Sequence, residues 1–390
     1  MRLIIFGTLF LVVIANWLWP LPLSLPMRLM SSLLIIVAAL YHQWCRLSSG
    51  SVLVPEMPRP LVILFNWAFG ALLFLTVLQL IVDLAAVLIA LIFWHPVQIG
   101  TEARIAIGGV AASLSAWGVR NALIVPPIRD IAVTLPGLAP AFNDFTLLQL
   151  SDLHITTLFP SSWVSAVVAR ANAAKADVIV VTGDFIDGSV PMRHEDIIPL
   201  SGLTARDGVY AIPGNHEYVF DYKEWMKALG TLGFDMLLNR HIVIRRDDAA
   251  LVIAGVTDMA AGRHNEPVPD LESALEGCPP NAPVVLLDHQ PGNARKAATR
   301  GIGLQLSGHT HGGMIRGLDR LVARANQGFV SGRYQLGSMT LYVSNGTGLW
   351  PGFALRLGCP AEITRVCLHA PSRTPTWKTR FLHATDARKP

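Results

Sequence analysis

Leu147-Leu148-Gln149-Leu150-Ser151-Asp152-Leu153-His154 decides the fold of this chain: a short apolar run stops at an aspartate, and a histidine follows two positions later. Residues i and i+2 of a strand share one face. Asp152 and His154 are therefore expected to point together into a cleft just past a buried strand's carboxyl end, where open α/β sheets bind ligands. Alone, such a pair is a common turn. It gains weight because the arrangement recurs. Val178–Thr182 runs into Gly183-Asp184, Val209–Ile212 into Pro213-Gly214-Asn215-His216-Glu217, Val284–Leu287 into Asp288-His289, and Leu304–Ser307 into Gly308-His309-Thr310-His311. Five strand-like runs ending in metal-ligand residue types need one explanation, and a two-metal site supplies it.

In this order, Asp-x-His, Gly-Asp, Gly-Asn-His-Glu, a later lone histidine and Gly-His-Thr-His resemble the calcineurin-like metallophosphoesterase superfamily, over residues 125–370. The resemblance implies an α/β fold, a four-layer αββα sandwich of two packed sheets with helices outside. It implies that Asp152, His154 and His311 bind a first metal, that Asn215, His289 and His309 bind a second, and that Asp184 bridges both. His216 would protonate the leaving oxygen. Glu217 is expected to orient His216, and Asp288 to point away from the site. Ser331–Cys367, with Gly346-Thr347-Gly348 and Cys359-Pro360-Ala361-Glu362-Ile363, resembles the membrane-associated bacterial branch. That branch includes phosphodiesterases and enzymes that hydrolyse UDP-2,3-diacylglucosamine.

The chemistry suits these residue types. Phosphate esters repel an attacking hydroxide, and two cations about 3.5–4 Å apart neutralise that charge and lower the pKa of a bound water. Carboxylate and amide oxygens with imidazoles suit Mn²⁺, Fe or Zn²⁺, with Mn²⁺ favoured here. Gly183, Gly214 and Gly308 precede ligands, where a sharp turn after a strand calls for glycine's backbone freedom. Arg356 reads as an exposed strand-end arginine, and His194, His241 and His264 as surface histidines.

Composition divides the 390 residues in two. Charged residues make up 15%, against roughly 25% in soluble domains. The deficit is local: Met1–Ile124 has only Glu56, Asp83 and Glu102 as acids. Four membrane spans are expected there, over residues 3–19, 29–44, 61–83 and 105–124. A cleaved signal peptide is the competing reading of the first, but no small-x-small site follows it. Residues 61–94 are too long for one span and hold no turn to make two, so a span with an extension is expected. Asp83 lies near its boundary. Arg2, Arg46, Arg59, Arg120 and Arg129 on one side outnumber Arg28 and Arg104 on the other. By the positive-inside rule that predicts a multi-pass inner- or plasma-membrane protein with a cytoplasmic catalytic domain.

Residues 125–370 form the expected catalytic domain, and 371–390 a basic tail read as disordered. Ile128–Leu135, Phe353–Leu357 and Ile363–Leu368 read as strands, and Ser161–Ala176 as the crossover helix of a βαβ unit. Cys45, Cys278, Cys359 and Cys367 show no paired spacing. A net charge of +4 without a basic stripe argues against a nucleic-acid partner. The expected function is metal-dependent hydrolysis of a phosphodiester or pyrophosphate bond in a lipid-linked substrate, by attack of a metal-bridging hydroxide. Hydrolysis of soluble phosphoesters by a membrane-tethered enzyme is the alternative, and a non-enzymatic metal-binding membrane scaffold the remote one.

Overall fold

A mostly apolar run from Leu61 to Phe93 contains no proline, and in the computed structural model, which describes residues 10–371, it continues the turn begun at Arg59-Pro60 as one unbroken 35-residue helix. It is preceded by α1 (Leu25–Ala39) and α2 (Tyr41–Ser49), which meet at a 55° bend. The long helix is α3 (Arg59–Phe93), and α4 (Thr101–Leu123) packs back along it. Trp67 donates to the Ala112 carbonyl (3.0 Å) and Ser115 to that of Trp67 (2.7 Å), so small residues of α4 lie close against α3. At 1.5 Å per residue α3 is about 52 Å long. Its first half is buried at Val62, Asn66, Phe69, Leu72 and Leu75. Its second half exposes Leu80, Ile81, Leu84, Leu88, Leu91 and Ile92.

The expected four spans are not what the described residues contain. Only α3 is long and apolar enough to cross a membrane, and α1 with α2 qualifies only if the bent pair counts as one span. The α4 segment is helical, but its glycines, serines and polar ends leave it short of that test. The first expected span begins outside the described residues, and the tail after Pro371 lies outside them entirely. With the number of crossings reduced, the count that set the domain's side of the membrane loses its basis.

From Ile128 the chain builds two six-stranded mixed sheets. The first starts with β1 (Ile128–Thr134), β2 (Phe145–Leu150), β3 (Val178–Thr182), β4 (Val209–Ile212) and β5 (Asp235–Met236). The second holds β6 (Arg240–Arg246), β7 (Ala249–Gly255), β8 (Val284–Leu287), β9 (Leu304–Ser307), β10 (Gly332–Leu336) and β11 (Met339–Val343). The last strand, β12 (Ile363–His369), returns to the first sheet between β1 and β2. The parallel strands β3, β8 and β9 are buried at every position, as unbroken apolar runs covered on both faces should be.

Leu147, Val178, Val180 and Ile212 of the first sheet pack on Ile253, Val285, Leu287, Leu304 and Leu306 of the second, which makes the middle of the sandwich. Outside the first sheet, α5 (Ser161–Ala173) and α6 (Val190–Ile197) join a core with Leu148, Leu150, Ile179 and Val181. After β4 come the single turn α7 (Asn215–Val219) and then α8 (Tyr222–Thr231), whose Trp225 and Leu229 extend that layer. Outside the second sheet, α9 (Leu271–Leu275) and α10 (Ala294–Ala298) cover Val252, Ala254 and Leu286. The layers are αββα.

Phe353–Leu357 is not a strand. After a 3₁₀ turn at Pro351–Phe353, it is part of a strap, Gly346–Leu357, wedged between the sandwich rim and the N-terminal helices. Tyr41 donates its hydroxyl proton to the Pro351 carbonyl (2.9 Å), and Asn66 accepts from the Ala354 amide (2.7 Å). The Arg356 amide donates to the Gly118 carbonyl of α4 (2.9 Å). Gly70 and Gly118 have no side chain where Leu355 sits between α3 and α4.

Candidate metal centre

The parallel strands β2, β3, β4, β8 and β9 all deliver their following loops to one edge of the sandwich. Asp152, His154 and His311 form one group of potential ligand atoms, and Asp184, His289 and His309 another. The two groups meet at Asp184. Its Oδ2 lies 3.2 Å from His289 Nε2, 3.7 Å from His154 Nε2 and 3.9 Å from His216 Nε2. Asn215 Oδ1 faces His309 Nδ1 at 2.8 Å and His289 Nε2 at 3.2 Å. His311 Nε2 is 3.7 Å from Asp152 Oδ1 and 3.2 Å from His154 Nε2. All seven expected ligand residues, and His216, converge.

Backbone geometry brings them in by a different route from the expected one. The β2 strand ends at Leu150, so Asp152 and His154 do not share a strand face. Instead Asp152 (φ 52°), His154 (φ 44°), Asp184 (φ 54°), His309 (φ 71°) and His311 (φ 51°) all adopt left-handed conformations. Such residues cost free energy and persist where the surroundings over-determine them. Gly214 and Gly308 are also not needed for their φ. A Cβ on Gly308 would run into Ser151 Oγ and Asp152 Oδ2, and one on Gly214 into Asp184 Oδ1. Absent volume is their contribution.

Hydrogen bonds fix the ring orientations. His289 Nδ1 pairs with the Thr182 carbonyl (2.7 Å), and His154 Nδ1 with Asp187 Oδ2 (2.9 Å), so both rings turn Nε2 inward. Asp152 accepts from Ser151 Oγ (2.6 Å) and from the His309 amide (2.9 Å). Asp184 accepts from the His216 amide (2.9 Å).

The electrostatics leave a demand for positive charge. Asp152, Asp184 and Asp187 are all buried. Burial pushes the Asp152 carboxyl up. Burial also works on Asp184, but His289 and His216 hold it well below the usual carboxylate range. Burial lowers His309 to about 4, with His289 adding to it, and burial and His154 lower His311. Against its burial, His289 is held well above its usual range by Asp184, so the buried carboxylates already draw positive charge to this edge. Inward-facing imidazole nitrogens beside buried carboxylates are the donor set of divalent cations, and buried charges of this kind need pairing or a metal. The residues present fit such ions.

The carboxylate behind His216 is not the expected one. Glu217 accepts from the backbone amides of Gly214 (2.7 Å), Phe185 (2.8 Å) and Asp184 (3.0 Å) and stitches two ligand turns together without touching His216. Asp187 pairs with His216 Nδ1 through Oδ1, and burial notwithstanding, His216 and His154 hold its carboxyl down to about 2. In the sequence Asp187 is only an acid three positions after Asp184; that offset was the one available signal. His216, against its burial, is pushed up to about 10 by Asp184 and Asp187.

Arg356 is buried rather than exposed. Its guanidinium donates to four backbone carbonyls: Asn345 (2.7 Å), Gly348 (2.8 Å), His311 (3.1 Å) and Cys359 (3.2 Å). Strap amides in turn reach the Asp152 loop, Thr347 donating to the Ser151 carbonyl (2.7 Å) and Gly348 to that of Asp152 (2.9 Å). Among the histidines set aside, His194 is exposed, His264 is exposed near Tyr218, and His241 is half-buried on the Ala274 carbonyl (2.8 Å).

Residues 145–313 match the family described as calcineurin-like phosphoesterase. A Bos taurus transmembrane protein with metallophosphoesterase domain is 36% identical over 273 residues, which is 67% of this chain and 61% of that protein. A Danio rerio protein of the same description is 32% identical over 66% of this chain, and 61% of its length is likewise covered. The chain thus spans about three fifths of these relatives. The Bacillus subtilis metallophosphoesterase YkuE is 33% identical over 231 residues, 57% of this chain and 78% of YkuE.

Proposed function

The chain belongs to the calcineurin-like metallophosphoesterase family, and from that premise we propose that it is a dinuclear metal-dependent hydrolase of phosphodiester or pyrophosphate bonds in a lipid-linked substrate. The observation that carries the reading is the shared Asp184: one carboxylate oxygen stands within 3.2–3.9 Å of imidazole nitrogens from three different loops. Asp152, His154 and His311 would hold one cation, Asn215, His289 and His309 the other, and Asp184 both. Mn²⁺, Fe or Zn²⁺ fits this set, and we favour Mn²⁺. When bound, the cations supply neutralisation of the phosphate and an acidified water.

The chain's own residues do the rest. As the P–O bond to the leaving group breaks, His216 delivers a proton from Nε2 to the departing oxygen. Asp187 holds Nδ1–H on the opposite side of the ring, which fixes the tautomer and keeps the imidazole cationic until then. Buried Asp152 and Asp184 are held in place by hydrogen bonds that the backbone amides of His309 and His216 donate to their Oδ1 atoms.

Support for a lipid-linked substrate comes from the strap. It leaves one hydrogen-bonded layer between the Asp152 and His311 loops and the helical module whose α3 carries the exposed apolar half. The exposed apolar half of α3, and the name of the bovine relative, support a membrane-held chain. The test is a turnover screen of the purified full chain with Mn²⁺, against detergent-dispersed lipid pyrophosphates and phosphodiesters and against water-soluble aryl phosphodiesters, with metal content measured on the same sample. Preference for lipid substrates is expected. Equal or greater turnover of soluble phosphodiesters would move the reading to a tethered enzyme of soluble phosphoesters, and bound metal without any turnover would leave a scaffold.

A further inference from the structure

Immediately after the His309 and His311 turn the chain forms a short helix, α11 (Asp319–Ala325), none of whose residues is buried. It seats on the His311–Gly313 turn, where Gly313 leaves room for Asp319, and turns its remaining surface outward. Its surface has a definite pattern. Leu318 (43%) and Leu321 (59%) are exposed one helical turn apart, and Arg320 and Arg324, four positions apart, form the neighbouring stripe. Arg316 adds a third exposed cation just before the helix. The helix's one acid, Asp319, accepts from the Gly317 amide (2.7 Å), and none of the three arginines has an ion pair among the described residues. An apolar stripe flanked by arginines is the surface that suits an interface of anionic headgroups and acyl chains.

Position agrees with chemistry. The Arg316 amide donates to the Leu357 carbonyl (2.9 Å), and the adjacent Arg356 amide donates to Gly118 of α4. The Arg316 side chain also lies over Gly358 at the end of the strap. Two consecutive strap residues therefore tie the start of this ridge to the helical module. The ridge is continuous with the helices on one side and with the metal-ligand turn on the other.

We propose that Arg316–Arg324 is a lipid-contact ridge: its arginines bind anionic headgroups while Leu318 and Leu321 enter the headgroup boundary, which sets the mouth of the metal centre against the bilayer. The inference rests on the membrane-held reading above, but not on which bond is hydrolysed. Each arginine close to an anionic surface favours the docked ridge roughly fivefold.

The test uses the full chain carrying Leu321→Trp, reconstituted in nanodiscs of brominated phosphatidylcholine, with or without an equal part of brominated phosphatidylglycerol. Fluorescence is read as the difference from the parent protein in the same discs. We expect the added tryptophan to be quenched in the anionic discs, and that quenching to fall severalfold when Arg316, Arg320 and Arg324 are all changed to Gln. Retained metal content shows that the triple variant is folded. An unquenched tryptophan overturns the ridge, as does quenching indifferent to both lipid charge and the arginines. Hydrolysis is not read, so a failed ridge leaves the proposed reaction standing, and a different substrate leaves the quenching result standing.

Discussion

Asp187 reaches His154 through one carboxylate oxygen and His216 through the other, so a single buried acid orients a proposed metal ligand and the proposed proton donor together. An acid catalyst of this kind works while protonated, and its contribution is lost as pH rises through its pKa. Asp184 and Asp187 raise that pKa to about 10, and cations held beside the ring would lower it. Asp187→Asn is therefore expected to shift the alkaline limb of the kcat profile to lower pH. It should also cost roughly 10–100-fold in activity or metal affinity. An unmoved alkaline limb would separate Asp187 from proton transfer.

His216→Gln and Asp184→Asn should part company. The first keeps both metals and loses roughly 10²–10⁴-fold in kcat. The second removes the oxygen shared by the two groups and is expected to bind less than one metal per chain by elemental analysis. Equal metal content in the two variants would contradict the bridging role.

Metal removal should be visible in stability. An ion that binds only the folded chain at 100 times its Kd stabilises it by about 2.7 kcal/mol. Chelation is expected to lower Tm, and added Mn²⁺ to restore it. In Asp184→Asn the Tm should respond much less.

Gly308→Ala tests volume rather than backbone freedom. The added methyl meets Ser151 Oγ and Asp152 Oδ2, so the Asp152, His154 and His311 group should lose metal while the other group retains it. A titration with two resolved steps in the parent and one in the variant is the expected result.

Arg356→Lys is expected to fail as a replacement. Lysine offers one ammonium where the planar guanidinium serves four carbonyls, and each buried acceptor left unpaired costs about 1–3 kcal/mol. Tm should fall, and metal affinity should fall with it through the His311 carbonyl. A lysine variant with parental Tm would remove the strap from the account of the site.

The sandwich, and the gathering of the candidate ligand residues at one of its edges, were legible because buried parallel strands are short, wholly apolar and end abruptly. Leu147–Leu150, Val178–Thr182 and Leu304–Ser307 therefore mark both a strand and the loop after it. What stayed hidden depended on contacts between distant segments. Arg356 looks like a surface cation until the His311 and Gly348 carbonyls surround it, and Glu217 looks like a partner of its neighbour until the Gly183 turn arrives. The left-handed backbone at Asp152 and His154 has no local signature, since neither residue type demands it. In the N-terminal part, hydropathy registered apolar length but not function: α4 is helical because its small residues nest against α3.

Leu355, seated where Gly70 and Gly118 lack side chains, acts as a dowel joining two parts that would otherwise slide. Any change in the tilt of α3 against α4 must either carry the dowel along or eject it, and Arg356, the next residue, moves with it. Splaying these helices is thus expected to disturb the His311 turn well before the sheets melt, so turnover should be higher in bilayer discs than in detergent micelles.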